Sequence, residues 1–188
     1  MHFAPDTEES LNFIVTLADT DPAASRSGQD ELSTVDQLAA LLGRYVYTGR
    51  IDHDEAELRE VRQTRAELRR VWTLGRDEAV EAVNRMLRDA RALPYLTRHD
   101  DLDWHMHATA PEAPLAERMR VEAALALMDV IRMNEMDRLR VCEADDCTGL
   151  VLDLSRNGSK RFCSVRCGNR VNMTAFRGRR AARDQPPE

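Results

Sequence analysis

The four cysteines of this chain fall within one 26-residue stretch, as Cys142-x4-Cys147 and Cys163-x3-Cys167 with fifteen residues between the pairs. Zn2+ takes four thiolates tetrahedrally, and two short loops can converge four sulfurs without straining either backbone. A site closed by four protein ligands leaves no position for substrate, so the pattern predicts one structural zinc ion. Two disulfides are the alternative. Against them, no stretch combines a basic start, an apolar run and a small-residue cleavage site, and no apolar segment approaches the roughly 20 residues that span a bilayer. We therefore expect a soluble, cytoplasmic protein, in which thiols stay reduced. A redox-active pair fits less well, because neither spacing is Cys-x-x-Cys.

The elements that hold these cysteines can be sketched from the same segment. Leu150-Val151-Leu152-Asp153-Leu154 and Lys160-Arg161-Phe162 flank Arg156-Asn157-Gly158-Ser159, and Asn-Gly is a strong hairpin-turn signal. The spacer is thus predicted to be a β-hairpin. Ser164 can cap a helix over 165–182, which puts Cys163 just before it and Cys167 in its first turn, where free N–H groups favour thiolate sulfur. Knuckle, hairpin and helix in this order suggest a treble-clef-like finger. Four thiolates and one Zn2+ leave a charge of about −2, which nearby cations would offset.

Charge is distributed unevenly. Residues 155–188 hold nine basic and two acidic side chains, and 1–154 hold 18 basic and 31 acidic, within a net charge of −6. A polyanion would be repelled by the first part and drawn to the second. At about 100° per residue, Arg170, Arg177 and Arg180 fall within roughly 40° of Arg166, so four guanidinium groups share one helix face, with Cys167 about 100° away. Such a face suits phosphates or guanine edges, and Arg156, Lys160 and Arg161 could add backbone contacts. The plainer alternative is a solvated basic helix. Val165, Phe176 and Phe162 are predicted as core, covering the hairpin.

Upstream, the periodicity is mostly helical. Leu11, Ile14, Val15 and Leu17 suit a short helix over 8–19, although Ile14-Val15 leaves a strand open. After a loop-forming stretch (20–32), a cap at Ser33-Thr34 predicts a helix over about 34–47 with Gly49 as its stop. A strongly amphipathic helix follows over 54–73, then another over 78–91 capped by Asp77. Tyr95–His99 and Leu102–His107 alternate as two short strands around an Asp100-Asp101 turn. Pro111 and Pro114 precede a long apolar helix over 112–138, the predicted spine of the core. His105 and His107 share a strand face, but two histidines without a third ligand are more simply surface or structural. Trp104, Tyr95 and Met106 could border an effector pocket, with core packing the simpler role. No phosphate loop, nucleophile turn or framed carboxylate pair is present, so an enzyme is not expected.

Cys163-Ser164-Val165-Arg166-Cys167-Gly168-Asn169-Arg170, preceded by Leu152-Asp153-Leu154-Ser155-Arg156-Asn157, resembles the CGNR zinc-finger family, and residues 167–170 spell its name. That family joins the finger to a mostly helical module called the ABATE domain, whose opening motif Leu11-Asn12-Phe13-Ile14-Val15-Thr16-Leu17 resembles. Its members are regarded as stress-linked transcription regulators, with RNA binding also suggested. The resemblance implies zinc at Cys142, Cys147, Cys163 and Cys167, and a nucleic-acid surface at Arg170 and the following helix. The position two after Arg170, commonly basic in such proteins, is Asn172 here.

The expected fold class is α+β, mainly α. A helical regulatory or dimerising domain occupies 1–138, a zinc finger 139–183 and a tail 184–188. The expected function is DNA-binding transcription regulation, with the zinc finger on DNA and the helical domain either forming a homodimer or sensing a small-molecule effector. RNA binding and a protein-interaction adaptor are the alternatives.

Overall fold

A computed structural model describes residues 3–45, 47–98 and 103–183, with side chains through 177. It is mainly helical, with six α-helices and two antiparallel ribbons among the described residues. The open choice over 8–19 resolves as helix. In α1 (Pro5–Ala18), Pro5 stands in the first turn with Asp6 and Glu8, and Leu11, Ile14, Leu17 and Ala18 are buried at helical spacing.

Thr34 caps α2 (Val35–Leu42), its hydroxyl accepting from Gln37 N–H while Gln37 Oε1 accepts from Thr34 N–H. This helix stops at Gly43, short of the expected end. Gly49 serves another purpose, adopting φ 86° where a Cβ would lie 2.5 Å from the Pro111 carbonyl oxygen. Asp54 caps α3 (Glu55–Trp72) as its pattern implies. Helix α4 (Arg76–Asp89) begins two residues before the sequence expectation, because Glu78 reaches back to Gly75 N–H and leaves Asp77 inside the first turn. Helix α5 (Leu115–Arg132) packs against α1, α3 and α4 as the spine. It is shorter than 112–138, since Asn134 takes a left-handed φ of 56° and a 3-10 turn follows.

The first ribbon pairs β1 (Tyr95–Thr97) with β2 (His105–His107), placing Tyr95 opposite His107 and Thr97 opposite His105. The expected Asp100-Asp101 turn lies outside the described residues.

The second ribbon corrects the sequence expectation. Strand β4 (Leu150–Leu152) pairs with β3 (Leu139–Val141), before the first cysteine, and not with 160–162. The reason lies in what each face can bury. Leu139, Leu150 and Leu152 enter the helical core, while Val151, on the opposite face, packs beside Cys142 and Cys167. Lys160-Arg161-Phe162 has no comparable pair of apolar faces.

Asn157-Gly158 still makes a turn, with Gly158 at φ 57°, but it closes a loop held by Asp153. That fully buried carboxylate accepts from Ser155 N–H and Oγ–H and, at 2.8 Å, from Lys160 N–H. Burial alone would raise the Asp153 pKa. The hydrogen bonds from Ser155 and Lys160, with the Arg140 charge, outweigh it and hold the group below the usual carboxylate range.

Polar contacts lock the finger onto α1 and α3. Leu150 N–H donates to Asp19 Oδ1 at 2.9 Å, and Trp72 Nε1–H to the Arg140 carbonyl at 3.0 Å. Arg69 bridges the Ala18 carbonyl at 2.8 Å and the Thr148 carbonyl at 3.0 Å.

Because Leu152 belongs to the finger segment but fills the helical core, Leu152→Ala should destabilise the whole chain by roughly 2–5 kcal/mol. Urea unfolding followed by the helical circular-dichroism signal checks this. A helical transition with an unchanged midpoint would show that the two parts are energetically separate.

Candidate metal centre and basic helix

The cysteine pairs are positioned by two different devices. Cys142 and Cys147 sit on the turn between β3 and β4, where Cys142 N–H donates to the Gly149 carbonyl at 2.8 Å and Cys147 N–H to the Ala144 carbonyl at 3.0 Å. Cys163 and Cys167 flank the start of α6 (Val165–Arg183), whose Ser164 Oγ accepts from Cys167 N–H at 3.3 Å. This is the cap the sequence predicts.

All four sulfurs lie within 4.8 Å of one another, with Cys147–Cys163 at 3.6 Å and Cys163–Cys167 at 3.7 Å. A tetrahedron with Zn–S bonds of about 2.3 Å has S···S edges of about 3.8 Å, whereas a disulfide bond is about 2.0 Å. The four cysteines are unbonded thiols, so the disulfide alternative fails. Burial pushes the thiols of Cys147 and Cys163 above their ordinary pKa, against hydrogen bonds from neighbouring groups at Cys147. Four thiolates at this spacing therefore call for a cation to compensate them, and the donor set fits one structural zinc ion. Bound there, zinc supplies cross-linking and no open coordination position.

Gly149 is a residue the sequence reading missed. A Cβ there would stand 3.0 Å from Cys163 Sγ and 3.3 Å from Cys147 Sγ, so only glycine lets the backbone pass the sulfurs, and its N–H donates to Cys147 Sγ at 3.4 Å. Its position two residues after Cys147 was the available signal. Gly168 has a related role, since a Cβ would stand 3.3 Å from the Phe162 ring. Phe162 is partly buried beside the cysteines, as expected for a core residue.

The basic residues divide. Arg170 donates to Cys167 Sγ at 3.6 Å and pairs with Asp146 at 2.6 Å, so it orients a sulfur and ties the helix to the knuckle. Arg166 donates to the Arg26 carbonyl at 3.0 Å, Arg161 pairs with Glu143 at 2.6 Å, and Lys160 Nζ reaches the Leu152 carbonyl at 3.2 Å. Arg156 and Arg177 are exposed and carry no ion pair or hydrogen bond among the described residues. The Arg180 side chain lies outside them.

Val165 and Phe176 were expected in the core, yet they are 80% and 53% exposed. With β4 paired to β3, no sheet among the described residues lies under the outer part of α6. Val171 is the helix residue that joins Cys167 in packing against the zinc-side core.

His105 and His107 bring their Nε2 atoms to 3.0 Å, but the four cysteines form the sole cluster of three or more potential ligands among the described residues. Tyr95 and Met106 border a cavity, whereas Trp104 is exposed outside it.

Asp19, which holds β4, is itself perturbed. Burial raises its pKa to about 6, against the Leu150 N–H bond and the Arg69 charge.

The geometry defines a class: a helical domain carrying a treble-clef-like zinc finger on its own core. Residues 138–180 match the CGNR zinc finger model, and residues 10–134 match the ABATE model, described as "Putative stress-induced transcription regulator". The latter covers more than half of the chain, which therefore belongs to the ABATE family and is a regulatory zinc-binding protein. No curated protein matches it. No described helix is long and apolar enough to cross a membrane.

The purified protein should carry one zinc per chain by elemental analysis, and Gly149→Ala should release it faster to a chelator than the parent. Equal release would mean the glycine approach is unimportant. For Asp19 the raised folded pKa means that stability is gained at low pH and lost as pH rises from about 4 through about 6. Asp19→Asn keeps an acceptor for Leu150 without the charge. It should melt higher than the parent at pH 7, with the difference vanishing near pH 4. A gap that does not change with pH would contradict a desolvated Asp19.

Proposed function

We propose that this protein is a DNA-binding transcription regulator of the cytoplasm, with a non-catalytic role. The observation that carries the reading is α6, a projecting helix about 28 Å long by its 19 residues. It lies within a segment, 155–183, without an acidic side chain, and Arg177 stands on it with no ion pair or hydrogen bond among the described residues. A helix of this kind fits a major groove about 12 Å wide. Its N-terminal turns are fixed to the metal centre by Cys167 and Arg170, so the finger presents the helix rigidly.

The seven basic residues suggested by the sequence then have unequal roles. Arg177 and Arg156 are the leading phosphate contacts, and Arg166 could exchange its carbonyl partner for one. Arg170 acts through the zinc site. The acidic remainder of the chain disfavours contact elsewhere and so orients the approach.

One observation favours RNA as the second reading. Phe176 is exposed one position before Arg177, and an aromatic ring beside a guanidinium suits unstacked bases.

Fluorescence anisotropy with duplex DNA and single-stranded RNA tests these readings. Arg177→Ala should weaken duplex binding and reduce the log–log salt slope by roughly 0.9, without changing zinc content. Arg170→Ala should instead speed zinc loss. An unchanged slope for Arg177→Ala would sink the duplex reading. A loss of roughly 1–3 kcal/mol on RNA alone for Phe176→Ala would favour the second reading.

A further inference from the structure

The helical domain holds a cavity of about 250 Å3 between α1, α5, the residues Tyr45, Tyr47 and Thr48, and the β1–β2 ribbon. This is smaller than the roughly 300–1,000 Å3 of drug-sized pockets, so it suits a compact molecule. Phe13, Tyr45, Tyr47 and Tyr95 contribute aromatic walls. The Tyr45 and Tyr47 ring centroids both stand 5.0 Å from that of Phe13, the former edge-on, which fixes the rings against one another.

The charges around this aromatic space do not balance. Asp6, Glu9 and Glu122 border it. Arg118 is the one guanidinium among its described lining residues, and it is directed at the carbonyls of Ala113, Thr48 and Arg50. The 3.0 Å contact between His105 Nε2 and His107 Nε2 needs one of the two nitrogens unprotonated, so the rings cannot both be cationic. Among the described lining residues, three carboxylates therefore outnumber one guanidinium and a single imidazolium. Burial, with the nearby Glu9 charge, raises the Glu122 pKa against a hydrogen bond from Tyr47 and the charges of Arg118 and His105.

We infer that this cavity is a binding site for a small organic cation, an amine or quaternary ammonium compound whose charge meets Glu122 and the faces of the tyrosine rings. Aromatic faces attract such cations, and a neighbouring carboxylate adds Coulombic attraction in a partly desolvated space. An anion would meet the carboxylates, and a neutral molecule would gain the apolar walls alone. The site does not depend on the nucleic-acid reading, and its test contains no nucleic acid.

Calorimetric titration of the zinc-loaded full chain with benzyltrimethylammonium, benzylamine, benzyl alcohol and benzoate separates charge from ring shape. The two cations should bind, with benzoate at least about tenfold weaker than benzylamine. Glu122→Gln should weaken the cations about tenfold and leave benzyl alcohol unchanged. Its helical content and melting temperature should equal or exceed the parent's, since it loses a desolvated carboxyl. Tyr95→Leu, at a half-exposed wall position, should weaken benzyltrimethylammonium more than benzyl alcohol. Benzoate binding as tightly as benzylamine, no heat from either cation at millimolar concentration, or full cation affinity in a folded Glu122→Gln protein would each overturn the proposal.

Discussion

One three-residue strand holds the architecture together. The alternation of a β-strand sends Leu150 and Leu152 into the helical core and Val151 into the zinc-side core, so β4 is a wall shared by both. A finger of some 45 residues is too small to bury much surface alone. It compensates with a metal cross-link on one side and a borrowed core on the other. Asp19 and Trp72 complete the attachment by satisfying backbone groups of the ribbon from α1 and α3. The family models meet near residue 136, but packing runs straight across that boundary.

That attachment explains how the basic residues are used. An arginine beside anionic sulfur is held by the strongest local charge, and Arg170 accordingly divides its guanidinium between Cys167 and Asp146. Farther along α6 no sulfur or carboxylate among the described residues competes, and Arg177 stays available to an outside anion. The helix thus grades from a structural root to an exposed end.

Helix α1 links the two chemically distinctive regions of the molecule. Asp6, Glu9 and Phe13 border the aromatic cavity, and Asp19, the cap at the helix's C-terminal end, holds β4. The same rigid element therefore borders the cavity and supports the finger.

Much of this was legible in the residues themselves. Cysteine spacing is short-range covalent information, so the four ligands, the Ser164 cap and the helix carrying Cys167 could be read directly. So could the amphipathic helices α3 and α5, whose apolar periods are long and unbroken. Helix ends were less legible, because Glu78 and Asn134 decide them through single hydrogen bonds or dihedrals. The partner of β4 could not be read at all. An Asn-Gly turn signals a reversal but not which strand pairs with which, and only the two-sided burial of Leu150, Val151 and Leu152 selects β3. The exposure of Phe176, the engagement of Arg170 and the close passage of Gly149 all follow from that choice. Sequence determined the metal chemistry through local spacing. Tertiary structure decided what stands around it, because those contacts join residues that sequence leaves far apart.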